Sequence, residues 1–142
     1  MIHIVFSTKN RADFITPEIE NDLFGYIHGI VENNGAKLKI ANGTANHIHL
    51  LVSLPRKIDV SELIGDVKRD SSVWMKKQNA HFADFYWQNS YGAFSIGQSQ
   101  VETVANYIKN QKEHHKKQDF KDEYRVLLKK CEIEYNERYV WD

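Results

Sequence analysis

Apolar residues follow two different periods along this chain, and the change from one period to the other predicts its elements. Short apolar runs with alternating or continuous apolar positions are typical of strands. Two of these runs are separated by Gly43 and Thr44, which predicts an antiparallel hairpin. The predicted strands are Ile2–Thr8, Lys37–Asn42, the segment that carries His47 and His49 and ends before Pro55, and part of residues 82–97.

Between these runs, apolar residues recur every three to four positions, which predicts helices with one buried face. The predicted helices run from Pro17 to about Asn33, from a cap at Asp59 or Ser61 to about Lys77, from Ser99 to about Lys116, and near Tyr124–Lys130. The resulting order is β-α-β-β-α-β-α, and its first six elements match the split βαβ arrangement. We therefore expect an α+β, ferredoxin-like fold with an antiparallel sheet and helices on one face. A C-terminal helix and tail would complete it.

Size and charge narrow the function classes. A chain of 142 residues fits one domain. Its 19 basic and 19 acidic residues cancel, which argues against gripping duplex nucleic acid by bulk charge but leaves room for a local basic groove. A single cysteine, Cys131, fits a reducing cytoplasm. The first ten residues do not resemble a signal peptide, and no apolar run approaches the ~20 residues of a membrane span. We expect a cytoplasmic protein that does not enter a membrane.

The first chemical signal is a pair of histidines on a predicted strand. His47 and His49 flank the apolar residue Ile48, and Leu50 follows them. Because residues two apart on a strand point to the same face, the two imidazoles project side by side from a rigid support. This arrangement can present two nitrogens to one metal ion.

A second signal lies on the predicted helix that begins at Ser99. Tyr107 and Gln111 are four residues apart and therefore share one face, at the edge of the apolar stripe. Two imidazoles and one amide oxygen suit Mg²⁺ or Mn²⁺ acting on a phosphate better than a structural zinc. Such a cation would polarise the scissile phosphate, and Tyr107 would attack phosphorus to form a phosphotyrosine.

Four segments together resemble a known family. HIHLLVSLP is similar to the His-hydrophobe-His motif of the HUH endonuclease superfamily, and YIKNQ is similar to the single-tyrosine motif of its small transposases. HIVFSTKNR and WQNSYGAFSIGQS resemble further parts of the same proteins. These small transposases mobilise bacterial insertion sequences as single-stranded DNA. The order and number of the segments make the resemblance specific over residues 1–117.

The resemblance implies a metal-dependent enzyme that cleaves and rejoins single-stranded DNA at the hairpin ends of an insertion element. It implies that His47, His49 and Gln111 hold Mg²⁺ or Mn²⁺ and that Tyr107 is the catalytic nucleophile. It also implies a homodimer, in which the tyrosine helix of one subunit can complete the site of the other. Residues 1–117 would form the catalytic domain, and residues 118–142 a helix and tail of the same domain. The family often has an acidic residue where this chain has Asn46; this departure leaves the ligands intact, but the resemblance carries no supporting role over to this position.

Basic residues near the two motifs are candidates for contact with the DNA backbone. Lysines and histidines concentrate between residues 109 and 117, beside the tyrosine, where a solvated helix end is an equally good interpretation. Two more basic residues follow the first predicted strand. The predicted DNA-binding residues are Lys9, Arg11, Lys109 and Lys112.

Two other function classes stay open at this point. One is a non-catalytic or domesticated nucleic-acid-binding protein on the same fold. The other is a metal-dependent phosphoesterase that uses activated water and forms no covalent intermediate. The set of His47, His49, Tyr107 and Gln111 argues against the first, and trapping of a protein–DNA adduct would exclude the second.

Overall fold

The computed structural model describes residues 1–142, and it confirms the ferredoxin-like α+β fold. Four antiparallel strands form one sheet in the order β2-β3-β1-β4. None of the helices is both long and apolar enough to cross a membrane. The strands are β1 (Ile2–Ser7), β2 (Lys37–Gly43), β3 (His47–Ser53) and β4 (Gly92–Ser95), and the helices are α1 (Pro17–Asn33), α2 (Val60–Gln78), α3 (Val101–Lys109), α4 (Gln111–His115) and α5 (Phe120–Lys130).

The helix ends follow local signals in the sequence. Helix α1 begins with Pro17 at a position where the missing N–H costs nothing, and it is followed by Gly35 with a positive φ of 78°. Helix α2 begins after Asp59, whose carboxylate accepts a hydrogen bond from the backbone N–H of Glu62 at 2.8 Å. The predicted boundaries of both helices are confirmed to within a residue or two.

The sheet has two unlike faces because successive side chains of a strand point in opposite directions. One face is apolar, and helices α1 and α2 cover it to form the main core. The main core contains 18 buried residues, among them Ile4, Phe6, Ile48, Leu50 and Val52 of the two central strands. Trp87 also lies in this core, where its ring meets that of Phe6 edge to face.

The opposite face carries polar as well as apolar side chains, and helices α3, α4 and α5 lie on it, so the sheet has helices on both faces and not on one face as expected. Leu51 packs against α3, and Val5 packs against α5. The helix predicted from Ser99 to Lys116 is in fact two helices, because the backbone departs from helical geometry at Asn110 (φ −98°, ψ 22°). The C-terminal helix is longer than predicted and begins at Phe120. Cys131 is exposed.

Candidate active site

The two histidines of β3 lie on the sheet face that α3, α4 and α5 cover. His47 and His49 are fully buried, and their imidazole rings lie 5.2 Å apart. The hairpin that positions them is tight at Gly43, since a Cβ there would stand 2.2 Å from the carbonyl oxygen of His47. Strand β3 therefore presents both rings side by side, as the period of the strand predicts.

Tyr107 and Gln111 are brought to the same place although the helix breaks between them. The side-chain amide of Asn42 donates to the carbonyl oxygens of Ile108 and Lys109, both at 3.0 Å, and so fixes the end of α3 to the hairpin. Gln111 is fully buried, with Oε1 3.2 Å from His47 Nε2. The Tyr107 ring lies 5.9 Å from the His49 ring.

Glu123 of α5 is the site residue that sequence reasoning missed. Its Oε1 lies 3.2 Å from His47 Nε2 and 3.0 Å from His49 Nε2. Its Oε2 accepts hydrogen bonds from the Tyr107 hydroxyl and, at 3.0 Å, from the Gln111 side-chain amide. The carboxylate thus contacts all four residues that the sequence singled out.

Each histidine also has a partner on its other ring nitrogen. His47 Nδ1 lies 2.8 Å from Asn46 Oδ1 and 2.9 Å from Thr44 Oγ1, and His49 Nδ1 lies 2.8 Å from Nε2 of the buried His3. Partners of this kind orient the rings of metal-binding histidines. Asn46 thus supplies an oxygen beside His47 Nδ1, and this position does contact the first histidine of the motif.

The donors and acceptors around His47 fit a bound cation. A neutral imidazole carries a single N–H. Here Nδ1 faces the oxygen of Asn46, while Nε2 faces the oxygens of Gln111 and Glu123. A cation at Nε2 would contact the oxygens of Gln111 and Glu123 while the N–H at Nδ1 donates to Asn46. His47, His49 and Glu123 are buried and offer ligand atoms that lie within 4.8 Å of one another, so this group could hold a metal ion.

Burial and neighbouring charges shift the pKa values of several side chains in the site. Burial lowers the pKa of His49, and burial together with the nearby His49 lowers the pKa of His3 to about 3, so His3 is neutral at pH 7. Burial alone would raise the pKa of Glu123, but hydrogen bonds from the two imidazoles of β3 outweigh it and hold the carboxyl ionised. Burial and the charge of Glu123 raise the pKa of Tyr107 well above its usual range. In this arrangement the phenol keeps its proton.

The predicted DNA-binding residues lie outside this buried cluster. Lys9 and Lys109 are exposed, and Arg11 is half-buried with a positive φ of 58°. The ammonium group of Lys112 is already paired with the carboxylate of Glu20. Lys112 is therefore bound within the chain.

Comparisons with known proteins agree with the fold and the motifs. The family model for IS200-like transposases matches residues 1–111. The transposase of insertion sequence element IS200 from Salmonella typhimurium is 28% identical over 122 residues, covering 80% of this chain and 78% of that protein.

Two solved structures share the fold. A crystal structure of a protein from Deinococcus radiodurans R1 has a TM-score of 0.61 at 21% identity and covers 78% of this chain and 88% of that one. The structure of a REP-associated tyrosine transposase bound to a REP hairpin has a TM-score of 0.63 at 16% identity and covers 80% of this chain and 67% of that one.

Proposed function

The chain belongs to the family of IS200-like transposases, and from this premise we propose that it cleaves and rejoins single-stranded DNA through a covalent tyrosine intermediate. The observation that carries the proposal is the convergence of His47, His49, Gln111 and the Tyr107 hydroxyl around one carboxylate inside a single chain. Residues 1–117 would be the catalytic domain, with 118–142 as an additional helix and tail.

Tyr107 would be the nucleophile. Its Oη would attack the phosphorus of the scissile phosphodiester and give up the phenolic proton. A bond would form between Oη and the 5′ phosphate, while the bond from phosphorus to the 3′ oxygen breaks and that oxygen takes a proton. Attack by a 3′ hydroxyl on the phosphotyrosine would later reseal a strand and return the phenol. The phosphotyrosine keeps the energy of the broken bond, so neither direction needs ATP.

His47, His49 and Gln111 would hold a divalent ion, Mg²⁺ or Mn²⁺. When bound, this ion would polarise the phosphate and stabilise negative charge on the leaving oxygen. The oxygens of Gln111 and Glu123 that face His47 Nε2 support this assignment, because oxygens beside an imidazole nitrogen are the ligands that such an ion takes. The partners Asn46 and His3 would keep the two imidazoles aimed at it.

The substrate would be a single strand, with hairpins at the ends of an insertion element as the recognised feature. Exposed Lys9, Arg11 and Lys109 would contact the backbone, and Lys112 would do so after exchanging Glu20 for a phosphate. Since the whole site comes from one chain, Tyr107 has no need of a second subunit for its contacts. These contacts give no support for a homodimer, which stays a prediction.

Adduct trapping tests the proposal. Oligonucleotides that cover the DNA flanking the gene, with its folded repeats, would be labelled at either the 5′ or the 3′ end and incubated with the protein and Mn²⁺. Because the tyrosine would keep the 5′ phosphate, we expect only the 3′-labelled strand to migrate with the protein on a denaturing gel. Tyr107→Phe should abolish the adduct and retain DNA binding, while Tyr86→Phe, an exposed matched control, should leave it intact.

Other outcomes distinguish the remaining classes. Repeated cleavage with no adduct at any time would favour a phosphoesterase that uses activated water. DNA binding without cleavage under all metal conditions would favour a non-catalytic binding protein. An adduct that survives in Tyr107→Phe would contradict the assignment of the nucleophile.

A further inference from the structure

Helix α5 seals the candidate active site from solvent. The side chains of His47, His49 and Gln111 have 0% exposure, and that of Glu123 is buried. The Phe120 ring of α5 lies 4.6 Å from the His47 ring and covers it. A DNA phosphate has no route to these imidazoles while α5 is docked.

The carboxylate of Glu123 stands where a scissile phosphate would have to stand. One of its oxygens faces Nε2 of His47 and His49, and the other accepts from the Tyr107 hydroxyl. A phosphodiester likewise carries one negative charge over two free oxygens. In the proposed reaction one of these oxygens must face the metal-binding side while phosphorus faces the nucleophile. The same space cannot hold both groups.

The attachment of α5 is separate from the main core. The helix is anchored by a cluster of five buried residues on the outer face of the sheet, which excludes the 18 residues of the main core. Only residues 116–119 join it to α4, and it lies beyond residue 111, where the match to the family model ends. Undocking of α5 would therefore leave the main core closed. The anchoring cluster is Val5, Phe94, Phe120, Tyr124 and Leu128.

We propose that α5 is an internal lid whose Glu123 carboxylate occupies the place of the scissile phosphate until single-stranded DNA displaces it. This inference rests on the proposed function, because it needs a phosphate to enter between the histidines and the tyrosine. Binding of DNA then competes with docking of α5. Any change that weakens the docking raises the apparent affinity for DNA.

The matched pair Glu123→Gln and Asp122→Asn tests the lid. Both variants remove one negative charge from adjacent positions of α5, but Asp122 is exposed and pairs only with Arg125. Affinity would be measured on the full chain, in EDTA to prevent cleavage, with a fluorescent single strand from the flanking repeats. We expect Glu123→Gln to bind at least fivefold more tightly than Asp122→Asn. Equal affinities of the two variants would overturn the lid.

Hydrogen exchange gives a second readout that does not depend on activity. Saturating single-stranded DNA should speed exchange of the amides of residues 120–130 in the wild-type chain, and α1 should stay protected. Unchanged exchange in α5 would contradict displacement. Tyr124→Ala, which loosens the anchor without changing charge, should likewise raise both DNA affinity and exchange in α5; its fold would be checked by circular dichroism.

Cleavage assays separate this inference from the proposed function. With Mn²⁺, Tyr124→Ala, which loosens the anchor of α5 outside the candidate active site, should cleave at least as fast as the wild-type chain. Cleavage that collapses in Glu123→Gln at unchanged DNA affinity would make Glu123 a catalytic carboxylate and overturn the lid. If no variant cleaves but Glu123→Gln still binds more tightly and α5 still opens, the proposed chemistry fails and the lid stands.

Discussion

Replacing Asn46 with alanine is expected to weaken Mn²⁺ binding about tenfold. In the structure, the Asn46 side-chain oxygen faces His47 Nδ1 at 2.8 Å, which keeps the N–H on that nitrogen and leaves Nε2 free for the ion. Loss of such a partner typically lowers metal affinity by about 10- to 100-fold. The Thr44 hydroxyl, at 2.9 Å from the same nitrogen, remains as a second acceptor, so the low end applies. Tenfold corresponds to about 1.4 kcal/mol of binding free energy.

The measurement is Mn²⁺ affinity at pH 7.5 by isothermal titration calorimetry, repeated by the electron paramagnetic resonance signal of free Mn²⁺. Asn46→Asp offers a stronger acceptor at the same place and should bind Mn²⁺ as tightly as the wild type or more tightly. Asn106→Ala, an exposed change on α3, is the control and should have no effect. A dissociation constant for Asn46→Ala within twofold of the wild type would refute the role of this partner, as would weaker binding in Asn46→Asp than in Asn46→Ala.

Three further predictions concern stability. The folded-state pKa of His3 lies near 3, below the usual 6.5, so the unfolded chain binds an extra proton and stability falls as the pH drops below 6.5. About 2 kcal/mol of the free energy of unfolding should be lost by pH 5. Urea titrations at neutral pH and at pH 5 should show a correspondingly smaller loss for His3→Gln. Lys68 donates hydrogen bonds to three loop carbonyls just before β4, two of them at 2.8 Å. Lys68→Met should therefore lower the free energy of unfolding in urea by about 2 kcal/mol, whereas the exposed control Lys57→Met should lower it by less than about 0.5 kcal/mol. Equal losses in the two variants would contradict the role of these bonds. Gly43→Ala places a Cβ against the carbonyl of His47 and should lower stability by more than about 2 kcal/mol and weaken Mn²⁺ binding; a variant as stable as the wild type would show that the hairpin can relax.

The parts of the site that the sequence could predict are those that depend on local periodicity. His47 and His49 share a face because a strand has a period of two, and Tyr107 and Gln111 converge because one helical turn separates them. The break at Asn110 was not foreseen, because no proline or glycine marks it. It does not disturb the convergence, since Asn42 fixes the end of α3 to the hairpin.

Glu123 could not be predicted, because nothing local distinguishes it from the other acidic residues of the C-terminal segment. Its burial depends on the imidazoles that meet it across the fold. The available signal was the apolar spacing of Phe120, Tyr124 and Leu128, which marks the face of α5 that turns toward the sheet and places Glu123 at its edge. The role of His3 could not be predicted either, because its partner His49 lies in a different strand.

The two unlike faces of β3 make the fold sensitive to a shift in the register of this strand. Ile48, Leu50 and Val52 belong to the main core, while His47, His49 and Leu51 alternate with them on the other side. A shift of one residue in the pairing of this strand would turn two imidazoles toward the aliphatic main core and turn Ile48, Leu50 and Val52 away from it. Such a misfolded chain would lose its core and the convergence of His47 and His49 with Glu123 in the same step. The packing that stabilises the fold and the geometry of the candidate site therefore depend on the same strand register.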